Sequence, residues 1–261
     1  MISLKTTENI VRMRRGGAVL ARILDELSCR ALPGVSTEEL NDEALARMER
    51  YDAEPVLLGY QPTFARRPYP AAICTSLNDE VVHGIPSAAR ILREGDILGI
   101  DVSIGYEGMI VDSARTLPIG RVRAEARALL EAAQDALAAA VAASRSGAHL
   151  GDIGAAIESL ARARGYGVVT ALCGHGVGYA VHEEPMVPNV GVPGAGIELR
   201  SGLTLAIEPM FTLGSSEVVF DEEDGYTVRT KDGSLSAHFE HTVVITEDGS
   251  AEILTLPHPI E

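Results

Sequence analysis

Arg93-Glu-Gly-Asp-Ile-Leu-Gly-Ile-Asp101 returns 107 residues later as Arg200-Ser-Gly-Leu-Thr-Leu-Ala-Ile-Glu208. Arg, Gly, Leu, Ile and the closing acid coincide position by position, and the surroundings repeat with them. A His-Gly pair precedes each copy, His83-Gly84 before the first and His175-Gly176 before the second. Farther upstream lie paired helical segments, residues 7–29 with 36–51 and residues 122–145 with 150–164. Pro33-Gly34 and Ser146-Gly147 mark the turn inside each pair, and Ser36 followed by Glu39 has the pattern of a capping box. Helix pairs followed by apolar strands, twice over, predict two related halves, about 4–118 and 122–256, in one α+β domain. The equivalent closing acids, Asp101 and Glu208, should then meet near the join.

Four acids occupy strand-like settings where a solvated surface charge is out of place. Asp101 lies within Ile97-Leu-Gly-Ile-Asp-Val-Ser-Ile104, and Asp112 follows Met109-Ile-Val. Gly105-Tyr-Glu-Gly108 reads as the turn between them, and a symmetric hairpin sets Asp101 directly opposite Asp112, with Cβ atoms roughly 4.5–5.5 Å apart. Two like charges that close on an apolar hairpin are unfavourable unless a cation or a shared proton relieves them. Glu208 sits inside Leu203–Phe211 and Glu240 inside Leu235–Ile245, both apolar runs in which an ionised Glu needs a partner. His175 stands in Cys173-Gly-His-Gly-Val-Gly178, where glycines allow the backbone to bend and approach a ligand. Four carboxylates and an imidazole suit Mn, Fe, Co or Zn, and two ions sharing bridging carboxylates would use that many acids.

Composition narrows the remaining choices. With 22 basic against 37 acidic residues the formal net charge is −15, which argues against nucleic acid as a partner. No run approaches the roughly 20 apolar residues of a membrane span, and Met1-Ile-Ser-Leu-Lys-Thr-Thr7 lacks the apolar core of a signal peptide. A cytoplasmic protein that engages no membrane is expected. Cys29, Cys74 and Cys173 are odd in number and far apart, as befits reduced thiols.

Taken together, Asn78-Asp-Glu-Val-Val-His-Gly-Ile-Pro86, Gly95–Val102, Cys173–Gly178, His182-Glu-Glu-Pro185, Ile207-Glu-Pro209, Asp224-Gly-Tyr-Thr-Val228 and Glu240-His-Thr242 resemble the type I methionine aminopeptidases. They occur in that family's order and spacing from about Leu4 to Leu256, and the short gap between Glu208 and Glu240 resembles the short bacterial form. The resemblance implies a pita-bread fold and removal of the initiator methionine from nascent polypeptides that have a small second residue. It implies a dinuclear centre of divalent ions with Asp101, Asp112, His175, Glu208 and Glu240 as ligands, Asp112 and Glu240 bridging. Glu208 would also act as general base and acid, His182 would hydrogen-bond the oxyanion or scissile amide, and His83 would hold the substrate and leaving group.

Tyr69, Cys74 and Tyr226 match the methionine pocket, where a thiol and aromatic rings offer polarizable contacts to a thioether. Two departures bear on its shape: Tyr226 stands where many relatives have Trp, and Val181 replaces an aromatic residue before His182. Asn78 and Ser236 match positions near a monovalent cation. The resemblance further implies a monomer that associates transiently with the ribosome. An X-prolyl aminopeptidase or prolidase of the same fold, and a non-enzymatic binding module, are the alternatives.

Overall fold

The computed structural model describes residues 2–63 and 65–257. Thr6 caps the first helix, α1 (Thr7–Arg30), its hydroxyl accepting the Asn9 N–H. Ser36 caps the second, α2 (Thr37–Arg50), and the capping box forms as anticipated: Ser36 Oγ accepts the Glu39 N–H at 3.1 Å while the Ser36 N–H donates to the Glu39 carboxylate at 2.8 Å. The strands β1 (Glu54–Pro55), β2 (Cys74–Leu77), β3 (Glu80–Val82), β4 (Ile97–Tyr106) and β5 (Met109–Pro118) complete the first half of the chain. The second helix pair, α3 (Ala124–Ala143) and α4 (Leu150–Arg164), is followed by β6 (Gly167–Val168), β7 (Cys173–Gly176), β8 (Glu183–Pro188), β9 (Thr204–Ile207) and β10 (Met210–Thr212). The chain continues through β11 (Val218–Phe220), β12 (Val228–Thr230), β13 (Ser236–His238), β14 (His241–Ile245) and β15 (Ala251–Ile253).

All strand pairs are antiparallel. β4 pairs with β5 along one edge and with β1 and β2, end to end, along the other. The other sheets run β15-β14-β9-β7-β8, β13-β10-β6 and β11-β12-β3. One hydrophobic core lies between α1, α2 and the β4–β5 hairpin, around Leu20, Ile23, Leu40, Ile100 and Val111. A second joins α3 and α4 to the five-stranded sheet, where Ala132, Ala133, Ala136 and Ala140 let α3 pack closely. No helix among the described residues is long and apolar enough to cross a membrane.

The repeat reappears as equivalent contacts, with the strand-side partners offset by 107 residues and the helix-side partners by 113. The Gly34 N–H donates to Leu92 O at 2.8 Å and the Gly147 N–H to Leu199 O at 2.9 Å; Leu92 and Leu199 return hydrogen bonds to Val35 and Ala148. Isolated bridges Ser36–Ile91 and His149–Glu198 flank them. Pro209 ends the likeness. It has no N–H for a ladder, so β9 stops at Ile207 and Glu208 lies just past the strand, whereas Asp101 sits mid-strand in β4. Glu240 likewise falls in the break between β13 and β14 rather than within a strand.

The hairpin register differs from expectation. Glu107 and Gly108, with φ of 49° and 75°, make a two-residue turn between Tyr106 and Met109, the tight form whose twist matches the flanking strands. Asp101 therefore faces Ala114, and Asp112 faces Ser103. The aspartates are diagonal neighbours rather than directly opposed. A shift of two residues preserves the face, so both still point the same way.

Candidate metal centre and active site

Backbone stitching between distant segments assembles the acidic cluster. The Asp112 N–H donates to Thr242 Oγ1 at 2.9 Å, and the same hydroxyl donates back to Asp112 O at 2.8 Å. Ser113 Oγ donates to Glu240 O at 2.8 Å, and the Glu240 N–H donates to Ala114 O at 2.9 Å. Asp112 and Glu240 are thus fixed side by side across the two halves. β14 pairs with β9 through His241–Ile207, and β9 pairs with β7 through Ala206–His175, which brings Glu208 and His175 to the same end of the five-stranded sheet. Buried Asn189 holds the Glu208 carbonyl at 3.1 Å.

Ligand atoms of Asp112, His175 and Glu240 all lie within 4.8 Å of one another, and all three residues are buried. His175 Nε2 is 3.5 Å from Glu208 Oε1 and 3.9 Å from Asp112 Oδ2. Asp101 lies on the same face of the β4–β5 hairpin as Asp112, near enough for the Asp112 and Glu208 carboxylates to act on it. Burial pushes every one of these carboxyls above its usual range. For Asp101 and Glu240, neighbouring carboxylates raise it further, while His175 partly offsets burial at Asp112. Burial likewise lifts Glu208 to about 8.

The donor set fits a divalent cation. His175 Nδ1 is 2.9 Å from Gly176 O, which can only accept, so Nδ1 carries a proton and Nε2 is the atom that faces the carboxylate oxygens. Donor atoms converge there, and buried Asp112 Oδ1 has no hydrogen-bond partner among the described residues. A cation relieves both, and the Nδ1–H to carbonyl bond is the outer support that metal-bound histidines commonly have.

Gly174 and Gly176 act differently from expectation. A Cβ on Gly174 would stand 2.3 Å from Ala206 O, and one on Gly176 would stand 2.5 Å from Glu184 O. They let β7 approach its neighbouring strands and so set the position of His175, rather than bending toward a ligand.

Beside the cluster is a cavity of about 70 Å³ lined by Tyr69, Cys74 and Tyr226 together with His83 and His182. Cys74 is the cross-strand partner of Asp101, which places the cavity against the acids. Tyr69 and Tyr226 meet edge to face with ring centres 5.0 Å apart, and Tyr226 Oη donates to Arg67 O at 2.6 Å. Val181 is buried among them. Leu57, Tyr60 and Pro62 also line the cavity. They lie in the 52–72 loop, which carries no periodicity from which their orientation could be read. Tyr60 Oη is 2.9 Å from His182 Nδ1, and the His182 ring stands 4.4 Å from that of His175. His238, a further residue without a spacing signal, puts Nε2 3.3 Å from Glu208 Oε2. Asn78 and Ser236 are adjacent, the Ser236 N–H donating to Asn78 O at 2.8 Å. The Asn78 side chain is engaged with Asp96 and Ile97. All three cysteines are free thiols.

These shifts give the metal-stripped protein a defined pH response. Burial lowers His83 and His238 to about 4 and His182 to about 3. Their contribution to stability is intact above the usual histidine value near 6.5 and is lost as pH falls through the lowered values. The raised carboxyls act oppositely. Folded protein keeps protons that the unfolded chain releases, so stability declines as pH rises toward the Glu208 value of about 8, by on the order of 1 kcal/mol per pH unit for each proton retained. Circular-dichroism melts of stripped protein should show a falling Tm between pH 6.5 and 8. Added Mn²⁺ should remove the decline, because a bound cation takes the place of the protons.

The profile of metallopeptidase family M24 matches residues 11–247. Methionine aminopeptidase B of Synechocystis sp. is 46% identical over 253 residues, which cover 97% of this chain and 91% of that protein. The methionine aminopeptidase of Aquifex aeolicus is 43% identical, covering 95% of this chain and 96% of that one. The crystal structure of methionine aminopeptidase from Thermotoga maritima superposes with a TM-score of 0.93 at 38% identity, covering 98% of this chain and all of the other. Prolidase from Pyrococcus furiosus has a TM-score of 0.73 at 21% identity, a likeness of fold alone that covers 97% of this chain and 65% of the prolidase. The α+β arrangement shared with these structures is the pita-bread fold. At such identities over nearly the whole of both chains, the protein belongs to the methionine aminopeptidases of metallopeptidase family M24.

Proposed function

We propose that the chain removes the N-terminal methionine of nascent polypeptides with a small second residue, using two divalent ions held by Asp101, Asp112, His175, Glu208 and Glu240. The observation that carries the reading is the convergence of Asp112, His175 and Glu240, buried and with lone pairs turned inward, beside a small apolar cavity. Asp112 and Glu240, fixed side by side, would both help to hold the ions. Co, Mn, Fe or Zn would each suit the donors. The chemistry that such ions supply is polarisation of the scissile carbonyl, acidification of a water, and a seat for the substrate's free α-amine.

The remaining work falls to the chain. Glu208, with its carboxylate beside His175 and His238, would accept a proton from the attacking water, once bound cations had displaced its own proton, and return it to the departing amine. His182 Nδ1 lies 2.9 Å from Tyr60 Oη, and in the tautomer with its proton on Nε2 His182 would donate to the oxygen on which charge develops. His83, which lines the same cavity, would hold the scissile amide. Both histidines are kept neutral by burial, so they add no positive charge that would repel a cation. Tyr69, Cys74 and Tyr226 receive the methionine side chain, and Val181 in place of a ring leaves that wall less filled. We further propose cytoplasmic action as a monomer, with transient contact to the ribosome and a monovalent cation between Asn78 and Ser236.

Stripped protein assayed on Met-Ala-Ser, Met-Leu-Ser and Ala-Pro-Ser, with and without Mn²⁺ or Co²⁺, tests the reading. Metal-dependent release of Met from Met-Ala-Ser, with little from Met-Leu-Ser, is expected. Cleavage of the prolyl peptide alone would move the chain to the X-prolyl enzymes, and no cleavage from folded, loaded protein would leave a binding module.

A further inference from the structure

Lys5 precedes the first helix, and its side chain is only 1% accessible, which is rare for a lysine. Its Nζ lies 2.7 Å from Glu183 Oε2 and 2.7 Å from Ser3 Oγ, and Ser3 Oγ itself donates to Glu183 Oε2 at 2.6 Å. The ammonium also sits 4.6 Å from the centre of the Tyr179 ring. The other oxygen of the same carboxylate, Glu183 Oε1, accepts the N–H groups of Tyr179 and Ala180. Glu183 therefore closes the turn over residues 178–183, and His182 is the residue before it.

That turn is tied down at one further point, and the Lys5 backbone is anchored separately. The Ile110 N–H donates to Gly178 O at 2.7 Å, two residues from Asp112, and the Lys5 N–H donates to Gly202 O at 2.7 Å. Lys5 Cε fills the space beside Gly178, 2.3 Å from where a Cβ would lie. A buried charge so placed is held by its partner and, if left alone, disrupts what surrounds it.

We infer that the Lys5–Glu183 ion pair is a latch that positions His182 over the metal cluster, making Lys5 a positioning residue for the reaction. The inference rests on the aminopeptidase reading above. Lys5 is not among the described residues that line the cavity, so its influence on turnover passes through the turn and through His182.

The test is a double-mutant cycle on metal-loaded protein with Met-Ala-Ser, comparing wild type, Lys5→Met, His182→Ala and the pair. Lys5→Met should lower kcat by on the order of 10-fold with the wild-type His182 present. In the His182→Ala background it should change kcat less than about 2-fold, since residues acting through one group are not additive. Mn²⁺ affinity should stay within about 2-fold of wild type, as the latch touches none of the proposed ligands. Ser3→Ala, which removes one hydrogen bond and no charge, should show the same pattern in weaker form and serves if Lys5→Met folds poorly.

A second readout needs no activity. The ¹H–¹³C ring signal of His182, assigned by its loss in His182→Ala, should move in Lys5→Met and in Ser3→Ala, while that of His149 stays in place. Equal loss of kcat in both backgrounds, or an unmoved His182 signal, overturns the latch. An inactive wild type would overturn the aminopeptidase reading instead, and the ring signal would still decide the latch.

Discussion

Changing both Asp101 and Asp112 to Asn is expected to abolish tight divalent-metal binding and, with it, turnover. The two carboxylates lie on one face of the β4–β5 hairpin, and Asp112 is one of the three groups whose ligand atoms converge within 4.8 Å. Asparagine keeps the shape and removes the charge, leaving a neutral oxygen where a hard or borderline cation needs an anion. Loss of even an outer-sphere partner typically costs about 10–100-fold in metal affinity, so loss of two proposed ligands should exceed that range. Calorimetric titration of the stripped protein with Mn²⁺ reads it directly.

The same variant should be more stable than wild type when both are stripped at pH 8. Burial and mutual repulsion work against the charged form of Asp101, and burial works against that of Asp112. Melts at that pH check the sign. Retained tight binding in the double variant would place the metal elsewhere.

Glu208→Gln should leave a folded protein whose kcat is reduced by about 10²–10⁴-fold, the range for a lost general acid–base group. The amide preserves the contacts with His175 and His238 in outline but cannot shuttle a proton. KM for Met-Ala-Ser should change much less than kcat, because the cavity walls are untouched. Steady-state kinetics at saturating metal separate the two, provided metal content is measured alongside, since Glu208 is also a proposed ligand. A variant with full kcat would remove Glu208 from the proton path.

How much of this was legible beforehand depended on distance along the chain. The helix pairs and the Ser36 capping box are local patterns, set by residues within a turn or two of one another, and they stand where the periodicity placed them. The Arg93–Asp101 and Arg200–Glu208 repeat was equally readable, because each copy carries its own turn and strand. The pairing register was not. It turned on whether Gly105-Tyr-Glu-Gly108 or Glu107-Gly108 alone makes the bend, and the tighter turn suits the strand twist better.

Glu208 and Glu240 read as strand residues because the apolar runs pass over them. Pro209 and the junction with β14 break those runs at the site itself. Tyr60, His238 and Lys5 gave no signal at all. Each acquires its meaning from a partner brought near by the fold: His182 for Tyr60, Glu208 for His238, and Glu183 for Lys5. A lysine can be buried here because a carboxylate 178 residues away receives its charge.

Anomalous diffraction from crystals soaked in Mn²⁺ tests the central claim most directly. Two peaks among Asp101, Asp112, His175, Glu208 and Glu240, with Asp112 and Glu240 shared between them, are the predicted result. A soaked crystal of active protein with no peak at this cluster, or with its peaks elsewhere, would contradict the account.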